Sequence, residues 1–298
     1  MTKESITKSF QDLQNRICQG LERVDGKSKF QEDLWTRADG GGGRTRTIGG
    51  DGIIEKGGVN FSEVHGKVTV MMKKNTEING DSFFASGVSI VIHPHSPHLP
   101  IIHMNVRYFE LDNGKYWFGG GIDLTPHYVI PNQAQAFHAG LKVICDKYNA
   151  DYYPKFKSWA DDYFYLPHRE ETRGVGGIFF DHILEDENNS KEDLLSFCIE
   201  LGDSFSDLYE YQVECGINES ISERHIDWRN TRRGRYVEFN LVNDRGTKFG
   251  LVSGGRTESI LMSLPPVANW EYCKEIEAGS PEEITLDSLK KGVNWVVK

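Results

Sequence analysis

An α+β fold built on an antiparallel sheet is what this 298-residue sequence predicts. Three observations carry that expectation. The segment 101–125 (IIHMNVRYFELDNGKYWFGGGIDLT) alternates polar and apolar side chains on either side of Asp112-Asn113-Gly114. Asn-Gly supplies the positive φ angles of a tight hairpin turn. The segment 235–243 (RYVEFNLVN) alternates as cleanly, and Asp244-Arg245-Gly246 turns it toward a further strand at 247–252, which predicts a second hairpin. Helical patterns separate these hairpins without the strand–helix–strand rhythm of a parallel sheet.

Taken in order, Ile6, Phe10, Leu13, Ile17 and Leu21 fall at helical spacing and predict an amphipathic helix over about 4–24. The glycine-rich stretch 37–58, with Gly40 to Gly43 consecutive and Arg44 and Arg46 beside them, reads as a mobile surface loop. A sharper reading is an anion-binding flap, although the Gly-Lys-Ser/Thr ending of a phosphate loop is missing. Strands are expected at 67–72 and 87–93, then the 101–125 hairpin. Helices are expected at 132–148, at 152–165 and, as one long element, at 192–213. Ser280-Pro281-Glu282-Glu283 offers an N-cap, a proline at the first helical position and an acid at the third. A terminal helix carrying Ile284, Leu286, Leu289, Val293 and Val296 should follow. No linker divides the chain, so one domain over 1–298 is expected.

Composition excludes several function classes. A net charge of −10 argues against nucleic acid and anionic membranes as partners, while an anionic small molecule needs only local cations. Cys18, Cys145, Cys198, Cys215 and Cys273 are scattered singly, which fits neither a disulfide framework nor a cysteine metal site and suggests a reducing compartment. No signal or transit pattern opens the chain and no run reaches the ~20 apolar residues of a membrane span, so a cytosolic protein is expected.

The 101–125 hairpin concentrates chemistry. Alternation sets His103, Asn105 and Arg107 on one face and Ile102, Met104, Val106 and Tyr108 on the other. The returning strand brings Gly119-Gly120-Gly121 and Asp123. An aspartate beside such a gap can accept hydrogen bonds from ligand N–H groups; the alternative is a salt bridge to a nearby arginine, since a buried carboxylate needs a partner. Arg229, Arg232, Arg233 and Arg235 read as surface ion pairs with the chain's many acids. Arg256 reads instead as a carboxylate ligand, with Gly254 and Gly255 letting backbone amides approach and Thr257 capping a helix. His93, His95, His98, His103 and His127 cluster early, with His138 and His168 later. They suit proton transfer, while the prolines among them limit convergence on a metal. Ser89 is not in a nucleophile elbow; it could donate a hydrogen bond to a bound carboxylate, or be an ordinary strand residue.

These residues sit in longer blocks: GGVNFSEVHG (57–66), GVSIVIHPHSPHLPIIHMNVRYFE (87–110), YWFGGGIDLTPHY (116–128), YYPKFKSWADDYFYLPHREETRGVGGIFFDH (152–182), RRGRYVEFNLVNDRGTKFGL (232–251) and GGRTESILMSLPP (254–266). In these blocks the chain resembles oxygen-dependent coproporphyrinogen III oxidase over nearly its whole length. The resemblance implies a large flat antiparallel sheet covered by helices on both faces. It also implies conversion of two propionates of coproporphyrinogen III to vinyl groups, giving protoporphyrinogen IX and CO₂ in haem biosynthesis, with dioxygen as electron acceptor and no required cofactor. Ser89, Asn105, Val106, Arg107, Gly254, Gly255 and Arg256 match substrate-binding positions. His103 matches a proton donor, and Arg107 and Asp123 match positions important for the reaction. His93, His103, His138 and His168 match positions described as divalent-metal ligands. A homodimer with its interface within 235–270 is implied, and the absence of an N-terminal extension implies the bacterial-type, cytosolic form. A histidine-ligated metal oxygenase and a non-catalytic tetrapyrrole-binding protein are the alternative readings.

Overall fold

The structure, a computed structural model, describes residues 1–38, 40–68, 79–252 and 255–296. Helix α1 (Lys3–Asp25) starts at Thr2 in a reciprocal cap with Ser5, ends on left-handed Gly26, and buries the stripe predicted for it. Six strands then form a meander: β1 (Gln31–Thr36), β2 (Gly41–Ile48), β3 (Ile54–Lys67), β4 (Ser82–Pro94), β5 (Ile101–Leu111) and β6 (Tyr116–Thr125). Helices α2 (Pro131–Tyr148) and α3 (Tyr152–Tyr163) follow, then a small ribbon of β7 (Tyr165–Leu166) and β8 (Glu171–Thr172). Strand β9 (Gly176–Ile183) returns to pair with β6 and completes a seven-stranded sheet, ordered β1-β2-β3-β4-β5-β6-β9 and antiparallel throughout. The rest is helical: α4 (Lys191–Asp203), α5 (Phe205–Gly216), α6 (Glu223–Glu238), a π-helical turn (Phe239–Asn243), α7 (Arg245–Val252), α8 (Thr257–Leu261) and α9 (Pro281–Ser288).

Strand alternation separates two faces. On one, Val88, Ile90, Ile92, Ile102, Met104, Val106, Tyr108, Phe118, Ile122 and Leu124 are buried, and α1, α2, α4 and α5 cover them with Phe10, Phe137, Phe197 and Phe205. Burial of this apolar surface, at roughly 25 cal/mol per Å², holds the layers together. The other face is polar, and only smaller clusters pack on it: Tyr236 against Val91 and Ile101, and Phe239 against Phe164 and Phe179. An α+β architecture with helices on both faces is therefore what the chain adopts.

Several local expectations are overturned. The 37–58 stretch is not a loop: β2 runs through it, and Gly43 is small because a Cβ there would lie 2.3 Å from the Trp35 ring. Arg44 is held by Gln14 and Asn15, and Arg46 by Glu32, so neither is poised on an anion flap. Of the strand expected at 67–72, Lys67 ends β3 and 69–72 lies outside the described residues. The long helix breaks at Ser204, whose hydroxyl donates to Leu201 O. The second hairpin does not exist: 223–238 is a helix with a Ser222–His225 cap, and 239–252 is helical as well. Alternation misled because the buried residues of 235–243, Tyr236, Phe239 and Asn240, follow helical spacing, and the inward stripe ahead of them on α6 is basic. Arg229, Arg232, Arg233 and Tyr236 recur at helical spacing and point inward, a pattern that apolar periodicity does not register. The terminal helix stops at Ser288; Leu289 enters the core beyond it.

Candidate active site

Register across the polar face determines which side chains share it. Ser89 lies opposite Asn105, and Asn105 opposite Gly121. Gly87, Arg107 and Gly119 form the next row, and Val91, His103 and Asp123 the row on the other side. Directly opposed residues of antiparallel strands project to the same side. β4 is the central strand of the sheet, where side chains are ordinarily covered, yet Ser89 in its middle is exposed and its neighbours Asn105 and Arg107 are half-buried. The helices on this side cover the flanks of the row and leave its centre open, which makes a cleft with a sheet floor.

Arg107 is the cation of that floor. Its Nη1 donates to Asn105 Oδ1 (2.8 Å) and its Nη2 lies 2.9 Å from Asp181 Oδ2. Gly119 makes the space for this pair, since a Cβ there would come within 2.5 Å of Asp181 Oδ1 and 3.0 Å of Arg107 Nε. With its side chain 37% exposed, Arg107 can take a ligand carboxylate through the remaining donors of its fork.

Asp123 sits deeper. Its Oδ1 accepts from His103 Nδ1 (2.8 Å) and its Oδ2 from Arg173 Nη2 (2.7 Å), with both members of the Asp123–Arg173 pair 2% exposed. Burial acts to raise the Asp123 carboxyl, but the Arg173 charge and the His103 hydrogen bond outweigh it and hold it below the ordinary carboxylate value. Of the alternatives left by the sequence, the structure shows the salt bridge: both oxygens are engaged inside the protein and neither faces the cleft. Arg107 and Asp123 share one face but stand about 13 Å apart along the strands, four residues at roughly 3.3 Å each. Arg107 and His103 reach the open surface, and Asp123 stands behind His103.

Other expected site residues scatter. Val106 is fully buried in the opposite core, so its side chain has no access to the cleft. Arg256 is half-buried and ion-paired with Asp33 on β1. The Gly255 N–H donates to Gly250 O (2.8 Å) and is not free for a ligand. Gly254 lies outside the described residues. Thr257 does not cap α8; Arg256 takes that position without a side-chain hydrogen bond. Arg229, Arg232 and Arg233 do pair with acids, but in the interior: Arg232 with Glu171 (2.9 Å), and Arg229 and Arg233 with Glu55.

The four histidines expected at a metal do not gather. His93 is buried, bonds Ser263 O through Nε2 (2.8 Å), and burial pushes it down to about 3. His138 on α2 lies in the opposite layer between Tyr153 OH and Val175 O, pushed down to about 4 by burial. His168 pairs with Glu238 at 2.9 Å. Among the described residues no three His, Cys, Asp or Glu side chains are grouped to hold a metal ion.

Sequence reasoning missed Arg173, Asn240 and Asp181. Arg173 Nη1 donates to Asn240 Oδ1 (2.8 Å), and its guanidinium lies 4.4–4.6 Å from the ring centroids of Phe164, Tyr236 and Phe239. The one sequence signal was negative: a glycine-flanked aspartate expected to be buried requires a cation, and Arg173 was an unassigned arginine in REETRGVGG.

Residues 5–295 match the family model for coproporphyrinogen III oxidase. The chain belongs to the coproporphyrinogen III oxidase family. It is thus an enzyme of haem biosynthesis that decarboxylates coproporphyrinogen III. No helix among the described residues is long and apolar enough to cross a membrane.

Proposed function

We propose that the chain is an oxygen-dependent coproporphyrinogen III oxidase whose substrate lies over the Ser89–Asn105–Arg107 floor. The observation that carries this reading is the exposed serine at the centre of the sheet, flanked by Asn105 and a partly free arginine. Each turnover event removes CO₂, one proton and two electrons from a propionate and leaves a vinyl group. Arg107 anchors the reacting carboxylate by paired charge-assisted hydrogen bonds, and Ser89 and Asn105 add neutral ones. His103, beside that row, moves the proton. The reduced pyrroles are electron-rich and pass the electron pair to dioxygen, so the substrate supplies what a redox cofactor otherwise would. Arg256 can exchange Asp33 for a second propionate.

The same proposal includes a homodimer and a cytosolic location. Leu241, Val242, Leu251, Val267, Trp270 and Tyr272 are exposed within or next to the 235–270 stretch, an apolar concentration that supports an interface there. The free cysteines fit a reducing compartment.

The test is incubation of chelator-treated protein with coproporphyrinogen III in air and under nitrogen, with product read by fluorescence after oxidation. Turnover in air alone is the expected result. Equal turnover under nitrogen overturns the oxygen dependence. Activity lost on chelation and restored by one metal favours a metal oxygenase, and binding without CO₂ release identifies a carrier.

A further inference from the structure

Three residues stand in line behind the proton-moving group. Asn240 accepts from Arg173, Arg173 holds Asp123, and Asp123 accepts from His103. The π-helical turn makes the first link possible: Asp244 N–H reaches back to Phe239 O (2.9 Å), and the widened turn buries Phe239 and the adjacent Asn240 together. Such turns recur at functional sites. The rings of Phe164, Tyr236 and Phe239 enclose Arg173, and Tyr236, pushed up to about 12 by burial, is uncharged there. The guanidinium is thus fixed in place with Asp123 as its ion partner at 2.7 Å.

We propose that Arg173 is a positioning residue which, by keeping Asp123 a carboxylate, locks His103 in the Nδ1–H tautomer and makes Nε2 the nitrogen that exchanges a proton at the cleft. An ionised carboxylate can only accept hydrogen bonds, so the hydrogen between His103 and Asp123 must reside on Nδ1. In the neutral imidazole the other nitrogen is then the acceptor, and it lies on the part of the ring that reaches the open face, where the side chain is 19% exposed. Without the guanidinium, a buried carboxyl is driven to its neutral form. A neutral carboxyl can donate to Nδ1, and the hydrogen then moves to Nε2, which can no longer accept. The charged and titratable groups around the pair are few. Arg173 arrives from beyond β8, Tyr236 from α6, and Asp244 follows the π turn, where Tyr163 and Thr247 hold it as a carboxylate. His93 on β4 is neutral, and Arg107 is four residues along β5.

This inference rests on the reading of His103 as the proton-moving group, so its test has a readout independent of turnover. Ring ¹⁵N resonances of the ligand-free enzyme, assigned by their loss in His103→Phe, report which nitrogen carries hydrogen. The wild type should show Nδ1–H, Arg173→Lys should keep it, and Arg173→Met should show Nε2–H. In activity, Arg173→Met should lower kcat about 100-fold, within the usual range for lost acid–base catalysis, with KM within about threefold; Arg173→Lys should recover much of it. Should Arg173→Met fail to fold, Asp123→Asn with Arg173→Met removes both charges. Its kcat should match Asp123→Asn alone, because residues acting in series are not additive. An unchanged Nδ1–H signal in Arg173→Met, or a double variant whose losses multiply, overturns the role of Arg173. If instead the tautomer moves while kcat does not, His103 is not the proton-moving group and the proposed mechanism is at fault.

Discussion

Arg107→Ala tests the cleft most directly. The arginine is 37% exposed, as is part of its partner Asp181 at 23%, so the ion pair is solvent-screened and its loss should cost at most ~1 kcal/mol of stability. Tm should therefore fall by no more than a few degrees. In the proposed mechanism catalysis depends on a different interaction, the one with a propionate. A hydrogen bond to a charged group contributes about 1.5–3 kcal/mol net, which corresponds to a loss in kcat/KM of roughly 10- to 150-fold at 1.36 kcal/mol per decade. Steady-state product fluorescence against coproporphyrinogen III concentration, with Tm measured in parallel, separates the two effects. Arg107→Lys should fall between, because an ammonium keeps the charge and loses the two-pronged geometry. An Arg107→Ala enzyme within about twofold of wild type would remove this side chain from substrate binding, and with it the placement of substrate over Ser89 and Asn105.

Asp123→Ala leaves the Arg173 guanidinium buried without its ion partner, and breaking such a pair from one side costs about 3–5 kcal/mol; denaturant titration should show that loss, and an unchanged midpoint would mean that Arg173 finds another partner. Gly119→Ala sets a methyl 2.5 Å from Asp181 Oδ1 and should displace the Arg107–Asp181 pair. Its KM should rise several-fold with Tm nearly unchanged, and wild-type kinetics would show that the pair does not orient Arg107. Glu238 carries a pH prediction. Burial acts to raise its carboxyl, but donors from Arg169, His168 and Trp270 outweigh it and hold it at about 2, against 4.5 ordinarily. A depressed carboxylate contributes stability that is present above pH 4.5 and lost as pH falls toward 2. Glu238→Gln should therefore lower Tm most at neutral pH, and the gap to wild type should narrow below pH 5. A gap independent of pH would argue that the charge of Glu238 contributes nothing.

Part of this site was legible in the sequence and part was not. His103, Asn105 and Arg107 could be set on one face because side chains alternate along any strand, and Asn113-Gly114 fixed the turn that brings Asp123 opposite His103. The same alternation applied to 235–243 failed, because its buried residues, Tyr236, Phe239 and Asn240, recur at helical spacing while Leu241 and Val242 are exposed, and the inward stripe ahead of them on the same helix is Arg229, Arg232 and Arg233. Those arginines are interior only because Glu55 and Glu171, more than 60 residues earlier in the chain, meet them there. No local pattern reports such a partner.

Sequence alone was enough to set the fold class, the central hairpin, the first helix and the family blocks, since each depends on short-range periodicity or on identity within a contiguous run. The tertiary structure decided which charges are buried. It placed Arg173 against Asp123, with 50 residues of chain between them, and turned an aspartate that could have faced a ligand into one that faces a histidine. Burial and ion pairing across such separations follow from how layers stack, and stacking is a property of the folded chain as a whole.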